Sequence, residues 1–445
     1  MSYLFLYFLA VFLIISLFMR RKFSVGQIAL FGVFFIISSY FLVKLGVHSY
    51  SNDSGGHLDY IRYIYDNFGL PAKKKCWTCY HSPLYFILAA IVNFLSSSLT
   101  SIGFEKKVQV LTYFISLGFI GYSLLVIRKF IKYKPDYYLV SAALIFMPSM
   151  TLNSVRIGND SLFYLFTVMT MYYACSFLET HRRKLLVISA LCALLSLTAK
   201  LTGFINLILI LMLFLYTWFK STAYTSRIKL KLIYLARSKL IICIFIIGIV
   251  FYIRETTLIG GIVGNSGNLG GWLGIQGNAY NFMYLDFLAF IKHSWVYSGT
   301  DPEGRQYFWN HFLKTALVGD WPHDGTWKVR AIAFLCLTWL MLIAYNIFYF
   351  FKSKAKDWDV RKVLLLSYIV AYIAAAIYIS ARYTYACSQN FRYVQPILIP
   401  FFIFTGICLT KLKKDKNYFS ALFLYLTLGT FAVAGFAYNL SFFLK

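Results

Sequence analysis

Apolar runs alternate with short polar intervals along the whole chain, and run length fixes their meaning. Tyr3 to Phe18, Gln27 to Val47, Val108 to Ile127, Tyr137 to Met150, Leu162 to Phe177 and Leu185 to Thr198 read as bilayer-crossing helices. Gly203 to Phe219, Leu240 to Ile253, Ile332 to Phe351, Val363 to Ser380, Val394 to Thr410 and Phe419 to Leu440 continue the series. A crossing takes roughly 20 apolar residues, so Pro83 to Leu95 is too short and reads as an interfacial or re-entrant helix. The expected fold is an all-α polytopic membrane protein, one domain over residues 1–445 with about twelve transmembrane helices. Two polar intervals stand out, 49–106 and 254–327.

Composition agrees: 60% of residues are hydrophobic, 20% aromatic and 13% charged, with mean hydropathy +0.67. A formal charge of +27 would suggest nucleic acid in a soluble protein. Here the alternation of spans puts nearly every dense basic cluster on one side. These clusters are Arg20 to Lys22, Arg128 to Lys134, Arg182 to Lys184, Lys220 to Lys239, Lys352 to Lys362 and Lys411 to Lys416. The positive-inside bias accounts for most of the charge and removes nucleic acid as a partner. It makes that side cytoplasmic, puts both termini outside, and suggests a bacterial inner membrane. No small-residue cleavage site follows Phe18, so the first run is expected to stay as a helix. Lys73 to Lys75 and Lys106-Lys107 remain outside, unexplained by the bias.

The chemistry gathers on the non-cytoplasmic side. Asp53 and His57 lie in the first outer loop; Arg156, Asn159 and Asp160 follow a later span; Lys200 sits in a short turn; Arg392 and Tyr393 precede another span. Ionisable groups at a membrane boundary are costly unless paired or facing a polar cavity, which makes them functional candidates. For Lys200, snorkelling to the interface weighs equally with anion binding. Asn52 or Asp53 can cap a helix that places Leu58, Ile61, Tyr65 and Phe68 on one face and Asp59, Arg62 and Asp66 on another. Gly69 and Pro71 end it, and the helix is expected to lie on the membrane surface.

Asp53, His57 and His81 are chemically able to bind a divalent metal, but their spacing matches no dense metal signature, and none is required. Cys76-x-x-Cys79 in an oxidising compartment favours a disulfide over zinc. The long outer interval opens Gly-rich, as a flexible loop. Its second half, with His293, Trp295, His311, Trp321, His323 and Trp327, is expected to form short surface helices covering the cavity.

The order of these elements resembles the GT-C family of polyprenyl-phosphate-sugar-dependent membrane glycosyltransferases, which includes the protein O-mannosyltransferases and aminoarabinose transferases. The resemblance is carried by Asp53, His57, Tyr60, Tyr63, Gly69-Leu70-Pro71 and His81-Ser82-Pro83-Leu84-Tyr85. Asn159-Asp160-Ser161-Leu162, the Lys200 turn and Phe391-Arg392-Tyr393-x-x-Pro396 continue it. Ser54 departs from the acidic pair common in that family, Ser82 from its paired prolines, and Asn390-Phe391 from its Gly before Arg. The resemblance implies a GT-C-like bundle and inverting sugar transfer from a polyprenyl-phosphate donor to a lipid, glycan or protein hydroxyl. Asp53 would be the general base, Lys200, Arg392 and Arg156 would hold the phosphate, and His57, His81, Tyr85, Asn159, Asp160 and Tyr393 would line the substrate. An O-antigen-polymerase-like enzyme would share the long outer loop but does not predict the first-loop motif order; a transporter or flippase would share the helix count but calls for an internal repeat and charges near mid-membrane, whereas the notable charges here sit at the outer ends.

Overall fold

The computed structural model describes residues 23–49, 53–97, 102–223, 239–263, 279–292, 307–319, 326–354, 357–382 and 386–443. All regular structure among them is helical. The expected first span, Tyr3 to Phe18, lies outside the described residues. Nine of the described helices are long and apolar enough to cross a membrane. In chain order the helices are α1 (Val25–Lys44), α2 (Ser54–Asn67), α3 (Leu84–Ser96), α4 (Phe104–Phe130), α5 (Lys134–Ile145) and α6 (Pro148–Asn153). They continue with α7 (Asp160–Thr180), α8 (Arg183–Ala199), α9 (Phe204–Ala223), α10 (Lys239–Val263), α11 (Ala279–Met283) and α12 (Phe287–Lys292). The last five are α13 (Phe308–Val318), α14 (Thr326–Lys352), α15 (Val360–Arg382), α16 (Leu398–Lys414) and α17 (Tyr418–Leu440).

The run from Tyr137 to Met150 is not one helix. Pro148 has no amide hydrogen and disfavours helical backbone in the residue before it, so α5 stops and α6 restarts. The break frees the Phe146 carbonyl, and Asn439 Nδ2 of α17 donates to it at 2.9 Å. Gly435 lets α17 come that close, because a Cβ there would lie 2.5 Å from the same oxygen. Helix α8, 17 residues long, ends where Lys200 turns to extended backbone, φ −156° and ψ 137°.

Helices α2 and α3 form the juxtamembrane pair. Leu58 and Ile61 are buried as their spacing predicts, joined by Tyr60, and α3 covers them with Tyr85, Phe86 and Ala89. Phe68 departs from expectation. It ends α2 in the left-handed conformation, φ 50°, which swings its ring off the packed face to 79% exposure. Helix α13 departs as well. It is not a surface cover: Phe308, Asn310, His311, Phe312 and Lys314 are all buried. Its polar side chains find partners inside. Asn310 exchanges two 2.8 Å hydrogen bonds with the Asp286 backbone, and Lys314 Nζ donates to the Phe290 carbonyl. With those groups bonded, the helix packs into the bundle despite its polar side chains. His293, Trp295, Trp321 and His323 lie outside the described residues.

The bundle has two differently charged ends. At one, the basic clusters meet carboxylates: Lys129 with Glu179 at 2.6 Å, Arg361 with Glu179 and Asp359, Lys411 with Asp357 and Lys413 with Asp136. At the other lie the start of α2, the start of α7, the end of α8 and the turn before α16. Below that second end, Asn206 of α9 ties three helices. Its Nδ2 donates to Thr167 and Ser196 at 2.8 and 2.7 Å, and Tyr372 donates to its Oδ1 at 2.8 Å. Asn206→Leu removes all three bonds, while Ser196 keeps its own donation to the Ala193 carbonyl, so stability should fall by about 1–3 kcal/mol, read as a lower thermal midpoint in detergent.

Candidate functional site

Asp53 immediately precedes α2, where an aspartate ordinarily caps the helix. It makes no such bond. Its Oδ2 instead takes Arg392 Nη2 at 2.7 Å and faces Arg156 Nη2 at 3.8 Å. Burial alone would raise the Asp53 pKa, but the neighbouring groups, Arg392 foremost with His57 and His81 behind it, together outweigh burial and hold the carboxyl at about 2.

Arg392 owes its position to a short 3-10 turn, Phe391–Tyr393. Asn390 Oδ1 accepts from the Arg392 amide at 2.9 Å, and Thr315 Oγ1 of α13 accepts from the Phe391 amide at 2.9 Å. Tyr164 donates its hydroxyl to the Arg392 carbonyl, and the Phe312 and Phe391 rings meet at 4.7 Å. Tyr393 places its own hydroxyl 3.2 Å from Arg392 Nη2.

Lys200 does not snorkel outward. It is 7% exposed, its ammonium is bonded to Asp160 Oδ1, and it sits 4.3 Å from the centre of the Tyr393 ring. Gly203 makes this turn possible, since a Cβ there would run 2.3 Å into the α8 backbone at Ser196. Asn159 Nδ2 donates to the Ala199 carbonyl at 2.9 Å, which clips the start of α7 to the end of α8 and sets Asp160 opposite Lys200.

His57 and His81 lie with ring centres 5.5 Å apart, His57 beneath Gly158 and beside Phe86, and His81 against Tyr80 at 4.2 Å. Burial pushes His57 down to about 4, only partly offset by Asp53 and Asp160, and pushes His81 well below its ordinary range. Both imidazoles are therefore uncharged at neutral pH, and His57 Nδ1 is buried without a hydrogen-bond partner. Tyr85 is a wall residue, its hydroxyl 2.6 Å from Thr112 Oγ1. Among the described residues no three His, Cys, Asp or Glu side chains stand close enough to hold a metal. Asp53, His57 and His81 do not converge as ligands: the carboxylate is turned to arginine and the imidazoles pack on aromatic rings.

Cys76 and Cys79 are joined in a disulfide. The stapled turn braces α2, with Thr78 so close to Gly56 that a Cβ there would lie 2.8 Å from its methyl. Three of the unexplained basic residues find partners. Lys73 pairs with buried Glu255 at 2.6 Å, Lys106 bonds to the Leu42 carbonyl, and Lys107 to the Ser96 carbonyl at 3.0 Å.

Two residues of the site's framework escaped sequence reading, Tyr164 and Thr315, and Asn390 was read only as a departure from the family's Gly before Arg. Tyr164 carried a usable signal, because it follows Asp160 by one helical turn and so shares its face. Thr315 carried none, lying in the half of the long outer interval expected to form surface helices, where a lone threonine marks nothing.

No protein-family model and no curated relative matches the chain. Among solved structures it is similar to ArnT from Cupriavidus metallidurans bound to undecaprenyl phosphate, with TM-score 0.54 and 12% identity over 94% of this chain and 76% of that one. It is also similar to the Archaeoglobus fulgidus oligosaccharyltransferase in the apo form, with TM-score 0.49 and 12% identity over 92% of this chain and 56% of that one. The first of these likenesses covers nearly the whole chain, and with the helical bundle it establishes that the protein is a polytopic membrane protein of the GT-C fold.

Proposed function

We propose that the protein is an inverting glycosyltransferase that moves a sugar from a polyprenyl-phosphate donor to a hydroxyl acceptor at the periplasmic face. The observation that carries this reading is the convergence, from four separate parts of the chain, of Asp53, Arg156, Lys200 and Arg392 at one end of the bundle. The basic clusters collect at the opposite end, which supports the periplasmic assignment.

In this reading the donor phosphate lies among Arg392, Arg156 and Lys200. These cations stabilise the charge that builds on the leaving phosphate oxygen, so that oxygen needs no acid. Both guanidinium contacts fall on Asp53 Oδ2, which leaves Oδ1 to accept the acceptor hydroxyl. Held at about 2, Asp53 is a weak base. Arrival of the phosphate draws the guanidiniums away and raises its basicity at the moment it is needed. The acceptor oxygen then attacks the anomeric carbon from the face opposite the phosphate, the carbon–phosphate-oxygen bond breaks, and the hydroxyl proton passes to Asp53. Either a lipid, a glycan or a protein hydroxyl fits this step. No metal enters it.

Asp53→Asn keeps the shape and removes the base. In liposomes with a polyprenyl-phosphate sugar, its transfer rate should fall by about 10²–10⁴-fold while thermal stability shows the variant folded. A wild-type rate in that folded variant sinks the assignment. Because His57 titrates at about 4, kcat/KM should be flat from about pH 5.5 to 8, and an inflection near 6.5 would show that the imidazole is not buried as described. In a variant lacking the exposed Cys243, an Asp66→Cys substitution on the exposed face of α2 should react with a membrane-impermeant thiol reagent from the periplasmic side only; labelling from the cytoplasm reverses the orientation.

A further inference from the structure

The charges at the site narrow the donor's sugar, an inference that rests on the glycosyltransferase reading above. Among the described residues, three cations and two carboxylates meet there: Arg392 and Arg156 on Asp53, and Lys200 on Asp160. Each of these side chains is a quarter exposed or less, so solvent screens their charges poorly. His57 and His81 add no charge, since burial keeps both imidazoles neutral. The cluster thus carries one positive charge in excess. A phosphodiester carries one negative charge, and with an uncharged sugar the sum is zero. A protonated amino sugar would restore the excess, and a uronic acid would overshoot to a net negative charge.

Position 54 points the same way. In this chain it is Ser54, buried, with Oγ 2.9 Å from His48 Nδ1. The two carboxylates present are Asp53, which in this reading turns to the acceptor hydroxyl as the phosphate draws its guanidiniums off, and Asp160, which is paired with Lys200. What lines the rest of the site is uncharged: His57, whose buried Nδ1 has no hydrogen-bond partner, His81, and the rings of Tyr80, Phe86 and Tyr393. Neutral imidazoles both donate and accept, and ring faces suit the C–H faces of a sugar.

We infer that the donor carries an uncharged hexose or pentose on a single phosphodiester, and that Asp53, Arg156, Asp160, Lys200 and Arg392 enforce this by charge balance. The test is binding of the full chain, followed by native mass spectrometry, to three synthetic donors on one polyprenyl phosphate: a neutral hexose, an amino pentose and a hexuronic acid. Polyprenyl phosphate without sugar serves as the fourth ligand. The neutral donor should bind at least about tenfold more tightly than either charged one, equivalent to ~1.4 kcal/mol. An amino or uronic donor that binds as tightly overturns the inference. Lys200→Met removes the excess charge, so the preference for the neutral over the amino donor should shrink by about tenfold or invert. Being a ratio, this readout survives a general loss of affinity, and Arg156→Gln should move it in the same direction if Lys200→Met does not fold. An unchanged ratio in a folded variant overturns the charge balance. Binding of the bare lipid phosphate separates the two readings: if it binds and sugars are not discriminated, only the charge inference fails, and if no lipid phosphate binds, the donor reading itself fails.

Discussion

The contact between Asp53 and Arg392 spans 339 residues of sequence and fixes the relation of everything around it. Neither charge tolerates burial alone: breaking a buried pair by losing one member typically costs several kcal/mol. The first loop must therefore bring its aspartate to the turn before α16, and that turn must present its arginine. Asn390, Thr315, Tyr164 and Tyr393 hold the arginine side; the stapled turn and the α2–α3 packing hold the other. Helix α13 serves this same contact, because its buried threonine anchors the Phe391 amide.

Much of this was legible before any coordinates. Run lengths give the helices, basic clusters give the two ends, and the cost of charge at a membrane boundary singles out Asp53, Lys200 and Arg392. What sequence could not give was pairing. Asp53 offered the chemistry of an ordinary helix cap, and only the fold shows the carboxylate turned away to an arginine. Lys200 weighed equally as a snorkelling residue until Asp160 was seen beside it. The miss at α13 has a different cause. Its polar residues read as solvent-facing, and their partners, the Asp286 backbone and the Phe290 carbonyl, lie on other segments that periodicity cannot align. Phe68 failed for a local reason, since a left-handed final residue breaks the helical register that placed it on the packed face.

The fold also separates two uses of charge. At the basic end the pairs Lys129–Glu179, Arg361–Asp359 and Lys411–Asp357 are at least partly solvated, and exposed pairs of this kind contribute little to stability. At the site end, among the described residues, Asp53, Arg156, Asp160, Lys200 and Arg392 are each a quarter exposed or less, and within this cluster cations exceed carboxylates by one. Such an imbalance is a standing demand for an anion, one that a fully neutralised cluster would not make.

The stapled turn of the first loop leaves the ribosome long before the groups it meets. Lys73 waits 182 residues for Glu255, and Asp53 waits almost to the end of the chain for Arg392. During synthesis the aspartate is a solvated carboxylate on an unfinished bundle, and the cations that would gather a lipid phosphate are divided among segments not yet inserted. Assembly of the charge cluster thus waits for the segment that carries Arg392. Until that segment packs, the first loop presents its aspartate without the guanidinium that its burial requires.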